Sequence, residues 1–217
     1  MAFTKDTVVV TGFGPFKNYK INASWEAVKL LPSMNIEEEF GIKLIIHEIP
    51  VTYGYVTENV PVLWRVHNPM LVVHVGVSGL ATGLTLEQEA HKSGYCKTDV
   101  EGKLPPRNEV GSGKAEVIRP LFDVEDVCKE VDNTEIGIPT FCSSNAGRYL
   151  CEFTYFTSLN IDNLRTIFIH VPELNNPFSA ADLAKGIKAI LRILIKKLRA
   201  QSSDDYLNNE VCSVQIK

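Results

Sequence analysis

The chain has 217 residues, 45% of them hydrophobic, with 22 Lys plus Arg against 26 Asp plus Glu and a formal net charge of -4. A chain of this length buries roughly 70% of the surface its unfolded form exposes, which excludes a fold that depends on disulfide or metal staples and fits one domain over residues 1–217. The acidic balance, with no basic block outside the last helix, excludes an electrostatic footprint for nucleic acid.

In chain order, Met1 to Lys5 run straight into Val8-Val9-Val10, without the apolar core or small-residue cleavage site of a signal peptide. Short, β-branched, continuously apolar runs predict strands buried on both faces at Thr7 to Thr11, Ile42 to Ile49, Met70 to Gly76, Ile138 to Cys142 and Thr166 to Val171. Helical spacing falls between them, at Ser24 to Leu31, Val56 to Val66 and Val124 to Val131, with Phe153 to Leu159 a further helical candidate. The last helix opens on the capping box Ser179-Ala180-Ala181-Asp182 and carries Leu183, Ile187, Ile190, Leu191, Leu194 and Leu198 on one face. Lys196, Lys197 and Arg199 read as its solvated end, where the helix dipole favours cations. Residues 201–217 read as a polar, frayed tail.

Alternating strands and helices predict a single-domain three-layer α/β/α sandwich around a mostly parallel sheet, with function at the strand ends. Ala90 to Ile118, rich in Gly, Pro, Lys and Asp, breaks the alternation and reads as a long excursion with a hairpin beside the site. Met70 to Leu84, the most apolar stretch, is interrupted by His74, Ser78, Thr82 and three glycines, so it offers no membrane span. Five scattered cysteines without a C-x-x-C pair suit a reducing, cytoplasmic compartment and no metal site.

Three glycine-rich turns invite a ligand. Gly12-Phe13-Gly14-Pro15-Phe16 lacks the third glycine of a dinucleotide fingerprint, and Gly111-Ser112-Gly113-Lys114 has Asn108 and Ala115 where a phosphate loop needs Gly and a hydroxyl. Gly76-Val77-Ser78-Gly79 follows a strand, but Gly79 directly after Ser78 breaks the nucleophile-elbow pattern. Cys151 follows a strand and heads a helical candidate, so its thiol sits at a helix N-terminus, where dipole and N–H groups favour thiolate. Read from position alone, it is either a nucleophile or a small buried hydrophobe. His170 ends a strand and would supply the imidazole; His74 reads as a core residue, and His47, His67 and His91 as strand, helix-end and loop residues. Glu87, at another strand end, would supply the orienting carboxylate.

These motifs together closely resemble the type I pyroglutamyl peptidases, a family of cysteine exopeptidases. The resemblance runs from Val8 to about Leu198 through Thr11-Gly12-Phe13-Gly14-Pro15-Phe16, Asn22-Ala23-Ser24-Trp25-Glu26-Ala27-Val28, Thr85-Leu86-Glu87, Ala146-Gly147-Arg148-Tyr149-Leu150-Cys151 and Phe168-Ile169-His170-Val171-Pro172. The glycine turn and the Tyr95 region are closer to animal members than to bacterial ones. What the resemblance implies is hydrolysis of the amide bond after an N-terminal pyroglutamyl residue, with Cys151 as nucleophile, His170 as acid and base, Glu87 orienting His170, and no metal or cofactor. It further implies that Phe13, Phe16, Tyr149 and Leu150 line the lactam pocket and that backbone groups, those of Val77 among them, bind the lactam. The expected partner is a pyroglutamyl-blocked peptide, with no nucleic acid or membrane partner and a homo-oligomer left open.

Two departures stand out. Many members have Asn after the nucleophile where this chain has Glu152, and an Asn near the Glu motif where it has His91-Lys92. A first-turn Glu suits the helix dipole, yet its charge beside Cys151 opposes the thiolate, and sequence does not decide between the two. Two other readings compete: a catalytically silent member serving as a binding module, against which the intact trio stands, and an amidase-like Cys hydrolase, whose Gly-flanked cysteine elbow is missing here.

Overall fold

The structure is a computed structural model that describes residues 6–16, 20–111, 113 and 115–214, without the side chains of 202–214. Met1 to Lys5, and Ser112 and Lys114 of the Gly-Lys turn, lie outside the described residues. In order the elements are β1 (Asp6–Phe13), α1 (Ala23–Val28), α2 (Ile36–Phe40), β2 (Ile42–Ile49), α3 (Tyr53–His67), β3 (Leu71–Val77) and β4 (Leu84–Glu87), followed by β5 (Ala90–His91), β6 (Val117–Ile118), α4 (Val124–Asp132), β7 (Thr140–Ser143), α5 (Leu150–Leu159), β8 (Thr166–Val171) and α6 (Ala180–Val214). A six-stranded sheet runs β2-β1-β3-β8-β4-β7. The β2-β1-β3-β8 part is parallel, β4 pairs antiparallel to β8, and β7 pairs parallel to β4.

Side chains alternate across the sheet, so each strand feeds two cores. Val8, Val10, Val73, Val75, Leu84, Leu86, Ile167 and Ile169 pack with residues of α1, α4 and α6. Val9, Phe13, Val72 and Phe168 pack on the opposite face with Val56, Val60 and Trp64 of α3 and Phe153 and Phe156 of α5. That second face also carries Gly76, Glu87 and His170 by the same period of two. The three-layer architecture and mostly parallel sheet are therefore as predicted, with strand β4 and the reversed direction of β4 and β7 as the additions.

Local chemistry explains the element ends. Asn22 caps α1 by accepting from Ser24 N, while its amide donates to Gly14 O and Ser24 Oγ accepts from Phe13 N, so one cap also pins the first glycine turn. The capping box of α6 forms as expected: Asp182 N donates to Ser179 Oγ and Ser179 N to Asp182 Oδ2. Two terminal expectations need correcting. The backbone of α6 stays helical to Val214. Lys197 and Arg199 are thus mid-helix, and they bridge to Asp126 and Glu130 of α4 and to Asp6 and the Phe40 carbonyl.

The excursion closes on itself through the antiparallel pair β5–β6, with Ala90 opposite Ile118. Tyr95 within it is fully buried, edge-on to Phe153 of α5 with centroids 5.2 Å apart. It therefore lies against the helix that carries Cys151.

Candidate active site

Tyr149 is the N-cap of α5 in extended conformation and makes no side-chain cap hydrogen bond, which places Cys151 at the second helical position. The helix therefore starts one turn before Phe153. Its first amides have no acceptor inside the helix. Across from it, a Cβ built on Gly76 would come within 2.8 Å of both Cys151 Sγ and Phe168 Cζ. The sulfur thus rests against bare backbone of β3, a position open to glycine alone.

His170 lies on β8 and is 6% exposed. Its Nδ1 donates to Glu87 Oε1 at 2.7 Å, so Nε2 is left to hydrogen-bond Cys151. Glu87, 1% exposed, reaches it from the antiparallel strand, where Thr85 is the residue directly opposite His170 and Glu87 is the diagonal neighbour. Burial works to lower the His170 pKa, but the hydrogen bond and charge of Cys151, then those of Glu87, outweigh it and raise the value from 6.5 to about 9. An imidazolium against the sulfur is the partner a thiolate needs.

A cleft of about 580 Å³ opens above these groups, lined by Val77, Ser78, Leu80, Lys97, Asn145 and Gly147 together with Glu87, Cys151 and His170. At one end it meets a narrow apolar recess formed by Phe13, Phe16, Asn22, Val51, Val77, Tyr149 and Leu150 around Cys151. The structure brings all eight sequence-predicted site residues to this one place. Sequence reading passed over Gly76, Asn22, Val51, Lys97 and Asn145 as site residues. Gly76 alone left a signal, as a glycine at a strand end; Lys97 and Asn145 sit in irregular segments without pattern.

The other histidines have separate employments. His74 is fully buried, bonded through Nδ1 to Thr11 Oγ1 and through Nε2 to Ser158 Oγ, as a core residue should be. His47 pairs with the Tyr55 hydroxyl, and His67 closes α3. His91 differs, because its Nδ1 and backbone N–H both reach Glu152 Oε1, at 2.9 and 3.0 Å. The two departures from the family pattern therefore touch each other. Arg148 completes the set, its guanidinium meeting both Glu152 oxygens at 2.6 and 2.7 Å. The charge of Glu152 is spent on these donors, so it does not act on Cys151 as a bare anion.

The family described as Pyroglutamyl peptidase matches residues 6–192. The chain is 40% identical over 200 residues to Pyroglutamyl-peptidase 1 of Rattus norvegicus, covering 92% of this chain and 95% of that protein. To Pyroglutamyl-peptidase 1 of Homo sapiens it is 41% identical over 194 residues, covering 89% and 92%. In fold it is similar to the pyrrolidone carboxyl peptidase of Fervidobacterium islandicum, with a TM-score of 0.78 at 24% identity over 88% of this chain and 99% of that one.

Proposed function

Since the chain belongs to the pyroglutamyl peptidase family, we propose that it hydrolyses the amide bond after an N-terminal pyroglutamyl residue, through Cys151, His170 and Glu87. The observation that carries the reading is the unbroken line from Glu87 through His170 to a sulfur seated on Gly76 beside an apolar recess. Cys151 as thiolate attacks the pyroglutamyl carbonyl, and the carbonyl oxygen takes the charge. First-turn amides of α5, uncapped by any side chain, donate to that oxygen, a contribution of about 3 kcal/mol per donor in comparable sites. The His170 imidazolium then gives its Nε2 proton to the leaving amine, leaving a thioester and a neutral ring. The ring takes a proton from water, hydroxide displaces the sulfur as thiolate, and the starting ion pair is restored with pyroglutamic acid, which gives its carboxyl proton to solvent as it leaves.

Specificity follows from what lines the recess. A lactam is neutral, and Phe13, Phe16, Val51, Tyr149 and Leu150 offer it apolar faces. A prolyl or glutamyl N-terminus would bring an ammonium into a recess with no carboxylate in its lining, at a desolvation cost of several kcal/mol. The recess holds about 10 Å³, room for one water. Admitting a five-membered ring requires Phe16 and Tyr149, with centroids 6.4 Å apart, to separate. The peptide beyond the scissile bond takes the larger cleft.

We further infer a single peptidase domain, since both cores share one sheet, and a cytoplasmic location, which suits the free Cys96, Cys128, Cys142 and Cys151. Among the described residues no helix is long and apolar enough to cross a membrane. The test is release of a fluorescent amine from its pyroglutamyl amide under reducing conditions, with prolyl and glutamyl amides and Cys151→Ala as controls. Activity confined to the pyroglutamyl compound and lost in the variant is expected. Inactivity of folded, reduced protein would instead favour a silent binding module.

A further inference from the structure

Glu152 is fully buried at the third helical position of α5, and its carboxylate accepts five hydrogen bonds. Oε1 takes His91 N, His91 Nδ1 and Arg148 Nη1; Oε2 takes Arg148 N at 2.7 Å and Arg148 Nη1. Burying an ion pair costs several kcal/mol of desolvation, and apolar residues of similar volume often stabilise as well or better, so stability alone is a weak account of it. Its connections supply a better one. We propose that Glu152 is the positioning residue of the active site, holding the turn that aims Cys151 and the segment that carries Glu87 in fixed relation.

The first connection is to the nucleophile turn. Gly147 and Arg148 take positive φ values of 97° and 48° before the chain extends at Tyr149 and enters the helix. For Arg this left-handed conformation is strained. Glu152 offsets that by accepting both the Arg148 amide and its guanidinium. In an ordinary capping box the third-position acid reaches back to the cap residue. Here it reaches one residue further, to the Arg148 amide, and the Tyr149 side chain at the cap accepts nothing from the first-turn amides beside the sulfur.

The second connection is to β5. His91 lies four residues after Glu87, and its backbone is gripped on both sides: Glu152 takes its N–H, and the buried Tyr95 hydroxyl donates to its carbonyl. One turn along α5, Tyr155 donates to the Glu87 carbonyl at 2.9 Å. The strand end that orients His170 and the helix that presents Cys151 are thus joined twice, by the Tyr155 hydroxyl and, at the nucleophile turn itself, by the Glu152 carboxylate.

The experiment compares wild type, Glu152→Gln, Glu152→Asp and His91→Ala by thermal melting, by the iodoacetamide alkylation rate at Cys151, and by kcat and KM per titratable Cys151. Gln keeps the shape but cannot accept from the guanidinium at both positions. It is expected to lower kcat about 100-fold, the cost of a displacement near 1 Å, with KM within about threefold and alkylation about tenfold slower. Asp, which keeps the charge, is expected to recover at least about tenfold of that loss, and His91→Ala to lose about tenfold in kcat. A lower melting temperature with unchanged kcat per titratable Cys151 would overturn the proposal. Should Glu152→Gln not fold, His91→Ala decides by the same criterion. The kcat arm rests on the pyroglutamyl reading and the alkylation arm does not. A wild type inactive on the amide, whose rapid Cys151 alkylation is slowed by Glu152→Gln, would retire the reaction and keep the positioning role.

Discussion

Replacing Glu87 by Gln keeps an acceptor for His170 Nδ1–H and removes only the charge, which isolates the electrostatic part of the pair. His170 binds its proton more tightly in the folded state, with a pKa of about 9 against an ordinary 6.5. Such a group contributes its full stabilisation below pH 6.5 and loses it as pH rises through about 9. At about 1.4 kcal/mol per pKa unit, the imidazolium contributes about 3 kcal/mol while charged, divided between Cys151 and Glu87. Urea denaturation from pH 6 to 10 reads this directly. Wild-type stability should fall by about 3 kcal/mol across that window, and the fall should be smaller in Glu87→Gln, with the part due to Cys151 remaining. Cys128, whose pKa is raised by burial and by its hydrogen bond to Cys142, adds its own decline near pH 9 and above, but equally in both proteins, so the difference curve removes it. Parallel curves would refute the reasoning, since they would mean that the carboxylate does not feel the charge on the ring 2.7 Å away.

Gly76→Ala places a methyl 2.8 Å from Cys151 Sγ and Phe168 Cζ. Overpacking should cost about 1–3 kcal/mol by thermal melting, and displacement of the sulfur about 100-fold in kcat. Cys128 and Cys142 bring their sulfurs within 2.9 Å across α4 and β7. In a Cys151→Ala background, diamide should remove two hydrogens from the mass and join them in a loop of about 15 residues, raising the melting temperature by about 6–12 °C. No mass change would show the pair to be sterically closed to bonding. For His74, burial lowers the pKa to about 3. Its neutral form is favoured in the fold, so stability is lost as pH falls from 6.5 towards that value, and nitrogen-15 NMR should show a neutral His74 ring at pH 5.

Most of the strands were legible because burial on both faces leaves unbroken apolar runs, and Ile42–Ile49 and Thr166–Val171 agree to the residue. What was illegible has physical causes. The alternation of Leu84-Thr85-Leu86-Glu87 says strand but carries no direction, and the antiparallel pairing to β8 is what brings Glu87 diagonally onto His170. Helix α5 is buried from Leu150 on nearly every side except around Cys151. It therefore shows little amphipathic period, and with no capping side chain its start could not be seen. Helix α2, Ile36-Glu37-Glu38-Glu39-Phe40, is too short for periodicity to register. Within the site, residue types and order pointed to Glu87, Cys151 and His170. The partnership of Glu152 with His91, 61 positions apart, is a property of the folded chain. So whether Glu152 meets the thiol as a bare charge, open at the level of sequence, could be judged only once its donors were seen.

The seat of Cys151 on Gly76 also makes a diagnostic for genome reading. A chain of this fold can keep Cys, His and Glu at the three chemical positions and still have lost its reaction, if the residue at position 76 acquires a side chain. A Cβ there displaces either the sulfur or the buried Phe168 ring. The fourth letter to check when sorting working copies from inherited shells is therefore a glycine that touches no substrate.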